Sequence, residues 1–267
     1  MTARPEVTDC TLDLNDGVAT LTMNRHDVRN AVTGTAIIDD ILAVTDWINR
    51  DQSVKVLIVT GAGSAFCAGG NIKDMAERGA EFAGNPAEIA EHYRSTVQRM
   101  PIAMHGCEAP VIAAVNGAAV GAGFDLMNMC DMRLISNKAK MGETFVNLGI
   151  IPGDGGAWFM QRLIGYQRAA ELSLTGRLIT ADEALEYGIA LEVLAPDDLL
   201  PRAQEMARDM AGKPTTALRL TKRLLKMAQR TELPDFLDLC AIFQGVCHNE
   251  DEHMAAVTAM LERISSK

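Results

Sequence analysis

The chain has 267 residues, of which 48% are hydrophobic and 22% charged, the usage of an ordinary globular protein rather than a disordered or fibrous one. Its formal net charge of −10 argues against a general nucleic-acid binder, which needs clustered cations, but leaves room for a local site for an anionic small molecule. Cys10, Cys67, Cys107, Cys130, Cys240 and Cys247 form no CxxC pair, and the five histidines form no metal-binding spacing. No apolar run is long enough to span a membrane, and no apolar stretch follows Arg4, so the expectation is a reduced, cytoplasmic chain without a protein metal site.

Residues 11–23 alternate around Asn15-Asp16-Gly17, which predicts a β-hairpin with a tight turn. Residues 33–50 carry Ile37, Ile38, Ile41, Leu42 and Ile48 at helical spacing. An apolar run at 54–60 reads as a buried strand and leads into the glycine-rich stretch 61–70. A helix is expected over 86–105 and a second buried strand over 110–115. That strand enters another glycine-rich turn, 116–123, followed by an apolar helix to Met129 and a strand over 132–135. Thr180-Ala181-Asp182-Glu183 has the form of a capping box opening a short helix that Gly188 closes. Beyond Pro196 strand signals stop and amphipathic helical patterns run to the C-terminus. The expected organisation is therefore an α/β core over 1–195 and a helical segment over 196–267.

Two glycine-rich turns, each following a strand and leading toward a helix, can expose backbone N–H groups to an anion or a developing oxyanion. A dinucleotide fingerprint is disfavoured because Phe66 occupies the position of the third glycine. Three acids stand near these turns: Asp125, Asp154 and Glu143. In local terms Asp125 and Asp154 read as helix caps and Glu143 as a surface acid; the alternative is a shared proton-transfer site. Arg219, Lys222, Arg223, Lys226 and Arg230 share one helical face, which reads first as a solvated face and second as a phosphate or subunit contact.

Residues 65–73 (AFCAGGNIK), 110–117 (PVIAAVNG) and 149–156 (GIIPGDGG), together with Met23-Asn24-Arg25 and Asn30-Ala31, resemble the crotonase family, the enoyl-CoA hydratase/isomerase superfamily, nearly end to end. The resemblance implies a spiral of ββα units whose helical C-terminal segment mediates trimers, often as a dimer of trimers. It implies an acyl-CoA thioester whose carbonyl sits in an oxyanion hole made by the backbone N–H groups of Ala68 and Ala122. Coenzyme A contacts would fall on Arg25, Ala31, Ala68, Gly70, Asn71 and Ile72, with coenzyme A carried as part of the substrate and no separate cofactor. Asn71 stands where the family usually has Asp. The two glutamates of the family's hydratases fall on Asp125 and on Phe145, which cannot carry a proton. Asp154 aligns with a catalytic Asp of relatives that hydrolyse β-diketones. The expectations are an enoyl-CoA hydratase or isomerase using Asp125 and Asp154, with Glu143 as a possible third member. A β-diketone hydrolase and a coenzyme A-binding scaffold without chemistry are the alternatives.

Overall fold

The computed structural model describes residues 2–79 and 82–266. Strands β1 (Cys10–Asn15) and β2 (Val18–Met23) form the expected hairpin, with Asn15 opposite Val18. Its two turn residues, Asp16 at φ 49° and Gly17 at φ 77°, both lie in the left-handed region, as the tightest hairpin turn requires. From β2 the sheet continues in parallel through β3 (Val56–Gly61), β5 (Val111–Val115), β7 (Met132–Ser136) and β10 (Glu192–Leu194). A second sheet in the order β4 (Ala65–Cys67), β6 (Ala118–Val120), β8 (Lys140–Gly142) and β9 (Ile179–Thr180) lies beside it. Strands β3, β5 and β7 each pass through a short turn into β4, β6 and β8, so the chain climbs as a spiral of paired strands.

Helix α1 spans Ile37–Arg50, four residues later than its periodicity suggests. Residues 31–36 are diverted to other partners: Val32 N–H donates to the Gly69 carbonyl at 2.9 Å and Ala36 N–H to the Asp9 carboxylate at 2.6 Å. After α2 (Ile72–Glu77), the helix expected over 86–105 is two, α3 (Pro86–Ser95) and α4 (Arg99–Gly106). The Ser95 hydroxyl bonds the Glu91 carbonyl at 2.8 Å and the Thr96 hydroxyl bonds the His92 carbonyl at 2.6 Å, in competition with the helical ladder. Pro101 has no N–H to continue that ladder and sits in the first turn of α4, where none is needed.

The chain continues through α5 (Ala122–Met129), α6 (Gly156–Thr175) and α7 (Ala181–Glu186), which Thr180 and Glu183 cap as expected. Helix α8 (Pro196–Ala211) places Leu199, Ala203, Ala207 and Ala211 against Val56, Ile58, Ile112 and Leu134 of the long sheet. Small residues four apart let helix and sheet approach closely. Helices α10 (Leu233–His248) and α11 (Asp251–Ser265) bury none of their residues and expose Leu237, Ile242, Met254, Met260 and Leu261. No helix among the described residues is long and apolar enough to cross a membrane.

The basic stripe on α9 (Thr215–Met227) is not a solvated face throughout. Arg219 and Lys222 are buried. The Arg219 guanidinium donates to the carbonyls of Ile48, Asp51 and Val54 at 2.7, 3.2 and 3.1 Å, closing the end of α1, and pairs with Glu108 at 3.0 Å. Lys222 donates to the Ala109 carbonyl at 2.7 Å and pairs with Asp131 at 2.6 Å. These two cations fasten α9 to the core, while Arg223 and Arg230 stay exposed. Each buried carbonyl left without a donor costs about 1–3 kcal/mol. Arg219→Ala is therefore expected to lose about 3 kcal/mol or more in chemical denaturation, and Arg223→Ala less than about 1 kcal/mol.

Candidate active site

The two glycine-rich turns meet. Gly69, at φ 84°, lies so close to the second turn that a Cβ there would stand 2.5 Å from the Val120 carbonyl oxygen and 3.2 Å from the Ala122 nitrogen, so only glycine serves. The first turn is anchored to the loop after β2. Ala68 N–H donates to the Arg29 carbonyl at 3.0 Å and Asn71 N–H to the Thr33 hydroxyl at 2.7 Å. Asn30, fully buried at φ 57°, spans the junction: its amide group donates to the carbonyls of Ala62, Ala65 and Phe66 at 3.1, 3.0 and 3.2 Å. This organising role is invisible to local sequence reading.

The bonding pattern corrects one expectation. Because the Ala68 amide is already spent on Arg29, it is not available to an oxyanion. Two residues on, the Gly70 amide donates to no group among the described residues, and neither does the amide of Ala122, first residue of α5. Gly70 and Ala122 line the same small cavity of about 30 Å³, with Asp154, Phe145, Ile150 and Tyr93 around them. That space admits one or two waters. Larger cavities flank Lys226 on α9 instead, one of about 320 Å³, away from the three acids.

The remaining expected contacts gather around the first turn. Ala31 is buried in the loop that holds it, and Ile72 is exposed at the start of α2. Asn71 caps α2, accepting from Lys73 N–H at 3.1 Å, a role that Asp would fill equally well. Arg25 is occupied: it grips Asp27 through two bonds of 2.9 and 2.8 Å and reaches Asp9 at 3.3 Å.

The acids come together as well. Asp125 on α5, Glu143 just after β8 and Asp154 in the turn before α6 are all buried, and none is a surface acid. Among the described residues none of their six carboxyl oxygens has a hydrogen-bond partner of normal geometry, although the backbone amides of Asp154 and Gly156 favour the ionised Asp154, and neither aspartate makes a helix-capping bond. Asp125 feels both of the others electrostatically. Its carboxyl presses on the Cα of Gly156, the first residue of α6, where any Cβ would collide with it. Burial, then the charges of Asp154 and Glu143, hold Asp125 well above the usual carboxylate range. Burial raises Glu143 and Asp154 too. The nearby Ser173 hydroxyl opposes the shift at Glu143, and Asp125 opposes it at Asp154. Such a group of acids holds its protons to higher pH than free carboxyl groups do and can exchange them with a bound molecule. Among the described residues, no group of three His, Cys, Asp or Glu is arranged to hold a metal ion.

Comparisons with known proteins agree with this architecture. The family model described as "Enoyl-CoA hydratase/isomerase" matches residues 13–267. A crotonyl-CoA hydratase of Syntrophomonas wolfei is 33% identical over 94% of this chain and 94% of its own length. A 1,2-epoxyphenylacetyl-CoA isomerase of Escherichia coli is 32% identical over 93% of this chain and 94% of its own. The crystal structure of an enoyl-CoA hydratase from Bacillus anthracis superposes with a TM-score of 0.88 at 31% identity, covering 96% of this chain and 97% of that one. The chain belongs to the enoyl-CoA hydratase/isomerase family and has the crotonase fold.

The carboxyl cluster fixes a stability trend. The native protein keeps protons on these acids that the unfolded chain releases above about pH 4, the ordinary range of the free groups. Their contribution to stability is complete below that pH and is lost as pH rises through their native values. Asp125→Asn is therefore expected to raise the melting temperature at pH 8 by about 2 °C or more, with the gain shrinking toward pH 4. Thermal melts across that range check it.

Proposed function

We propose that this protein binds an acyl-CoA thioester at the meeting point of the two glycine-rich turns and moves a double bond in its acyl chain through an enolate. The observation that carries this reading is the convergence of two unspent amides, Gly70 and Ala122, with the Asp154 carboxyl on one cavity. The thioester oxygen would sit between the two amides, where donors fixed in advance favour the charge that develops on enolisation. Ala122 adds the positive end of α5. Residues 25, 31, 68 and 70–72 would carry the coenzyme A portion, so no cofactor beyond that group is needed. Arg25 would exchange part of its carboxylate contacts for a phosphate.

Asp154 is the acid that lines the cavity and would take the proton from the acyl chain. Asp125 lies behind it and sets its protonation. Phe145 stands on the cavity wall where a hydratase would hold a second glutamate, and it offers no group to activate water. This favours isomerisation over hydration. One carboxyl can take a proton from one carbon and return it to another on the same face, whereas adding water needs a second acid facing the first. The exposed apolar residues of α10 and α11 fit a trimer, for which light scattering should give a multiple of three times 28.8 kDa.

A panel of enoyl-CoA esters, with products resolved by chromatography, tests the reading. Double-bond migration is expected to exceed hydration of crotonyl-CoA by at least about 100-fold, the low end of what one acid or base contributes. Asp154→Asn should lower kcat on the best substrate by at least about 100-fold without unfolding the protein. Proline is tolerated at the first position of a helix, so Ala122→Pro removes one oxyanion donor while keeping α5. It should cost about 100- to 1,000-fold in kcat. Full activity in both variants would place the chemistry elsewhere.

A further inference from the structure

Helix α9 carries two kinds of inward-facing cation. Arg219 and Lys222 are spent on carbonyls and acids of the core, whereas Lys226, half-buried one turn further on, pairs with no carboxylate among the described residues. Its ammonium donates to the His105 carbonyl and keeps further N–H groups in hand. Burial and the charge of Lys222 hold Lys226 down to about 8, the mark of a cation short of counter-charge. From His105 a chain of contacts leads to a second cation. The His105 ring stands edge-on to Trp158 at 5.3 Å and to Phe159 at 6.3 Å, and the Arg162 guanidinium lies 3.8 Å over the Trp158 ring. Arg162 donates to the Trp158 carbonyl at 2.9 Å and, among the described residues, meets no carboxylate either. These residues line one cavity of about 230 Å³ between α4, α5, α6 and α9. Asp131, also on its wall, is taken by Lys222 at 2.6 Å. Asn128 on α5 lines it too, buried, with neither atom of its amide partnered among the described residues. The acyl cavity shares no lining residue with this one.

We propose that this cavity is a second ligand site, for a small carboxylate whose apolar body is about the size of a benzene ring. The site stands independently of the acyl-CoA reading. On a protein of net charge −10, two cations without acid partners on one concave wall attract an anion locally. A carboxylate gives Lys226 the charge-assisted partner that the fold withholds, in a setting where burial strengthens the bond. It also offers an acceptor to the Asn128 amide, which has none in the protein. Trp158, Phe159 and Leu163 cover the apolar part of the ligand. An apolar hole of about 150 Å³ holds benzene, so about 230 Å³ takes a ring together with its carboxylate. Inorganic phosphate would satisfy the cations but leave the aromatic walls uncovered, which is why the site selects an organic acid.

Calorimetric titration of the full chain with benzoate, and with its neutral counterpart benzamide, tests the site without any turnover. Benzoate is expected to bind at least about tenfold more tightly than benzamide, the effect of one hydrogen bond to a charged group. Lys226→Met keeps the apolar stem and removes the ammonium; it should weaken benzoate at least about tenfold and leave benzamide within about twofold. Trp158→Ala should weaken both ligands about threefold or more through the lost aromatic wall. Trp158 is exposed, so that variant decides the case if Lys226→Met fails to fold. Crotonyl-CoA should not displace benzoate, because the two cavities are separate. No heat with about 10 mM benzoate, or benzoate affinity unchanged in the variants, overturns the site. Displacement by crotonyl-CoA would put benzoate in the acyl cavity, and displacement by equimolar inorganic phosphate would make the site one for phosphate; either result overturns the proposal.

Discussion

Three carboxyl groups are buried close together with no hydrogen-bond partner of normal geometry among the described residues. Ionising all three there would set like charges against each other in a medium that solvates none of them, so the folded chain must keep protons on the cluster. Much of the surrounding architecture follows from holding them together. The second glycine turn starts α5 where Asp125 faces inward, β8 delivers Glu143, and the turn before α6 delivers Asp154. Gly156 leaves the volume that the Asp125 carboxyl fills. This is a packing arrangement with an unfavourable electrostatic cost, of the kind that clusters at functional sites.

The free amides that line the cavity with Asp154 arise by the opposite logic. There the backbone supplies donors without acceptors: Gly70 because its turn is pinned by neighbours on either side, and Ala122 because the first amides of a helix have no partner within it. Asn30 and Thr33 hold that turn from the loop after β2, and Gly69 lets it approach the second turn. Gly70 and Ala122, whose amides have no partner among the described residues, and Asp154 thus line one cavity about the size of one or two waters. Arg219 and Lys222 tie α9 to carbonyls at the end of α1 and just before β5, so the helical segment after residue 196 is anchored by buried cations as well as by apolar contact.

Much of this was legible in the sequence because the signals were local. Asn15-Asp16-Gly17 made its hairpin, the apolar runs made central strands, and the glycine-rich stretches made the turns of the site. Failures came where the outcome depended on direction rather than residue type. Ala68 and Gly70 lie in one motif, and only the backbone path decides which amide points into the cavity and which bonds Arg29. Helical spacing put Arg219 and Lys222 on a charged face, but long side chains can carry their charge inward when carbonyls await them. The aspartates looked like caps because caps and buried catalytic acids favour the same positions at the start of a helix. The absence of a side-chain capping bond at α5 and α6 separates the two cases, and no sequence pattern records it.

The central claim is that a thioester carbonyl meets the amides of Gly70 and Ala122 with Asp154 beside the reacting carbons. A crystal structure of the protein with a slowly reacting enoyl-CoA analogue tests this most directly. The account expects the carbonyl oxygen at about 3 Å from both amide nitrogens, with Asp154 the closest of the three acids to the acyl chain. A carbonyl bonded elsewhere, or an acyl chain lying against Phe145 with Asp154 turned away from it, would contradict the account.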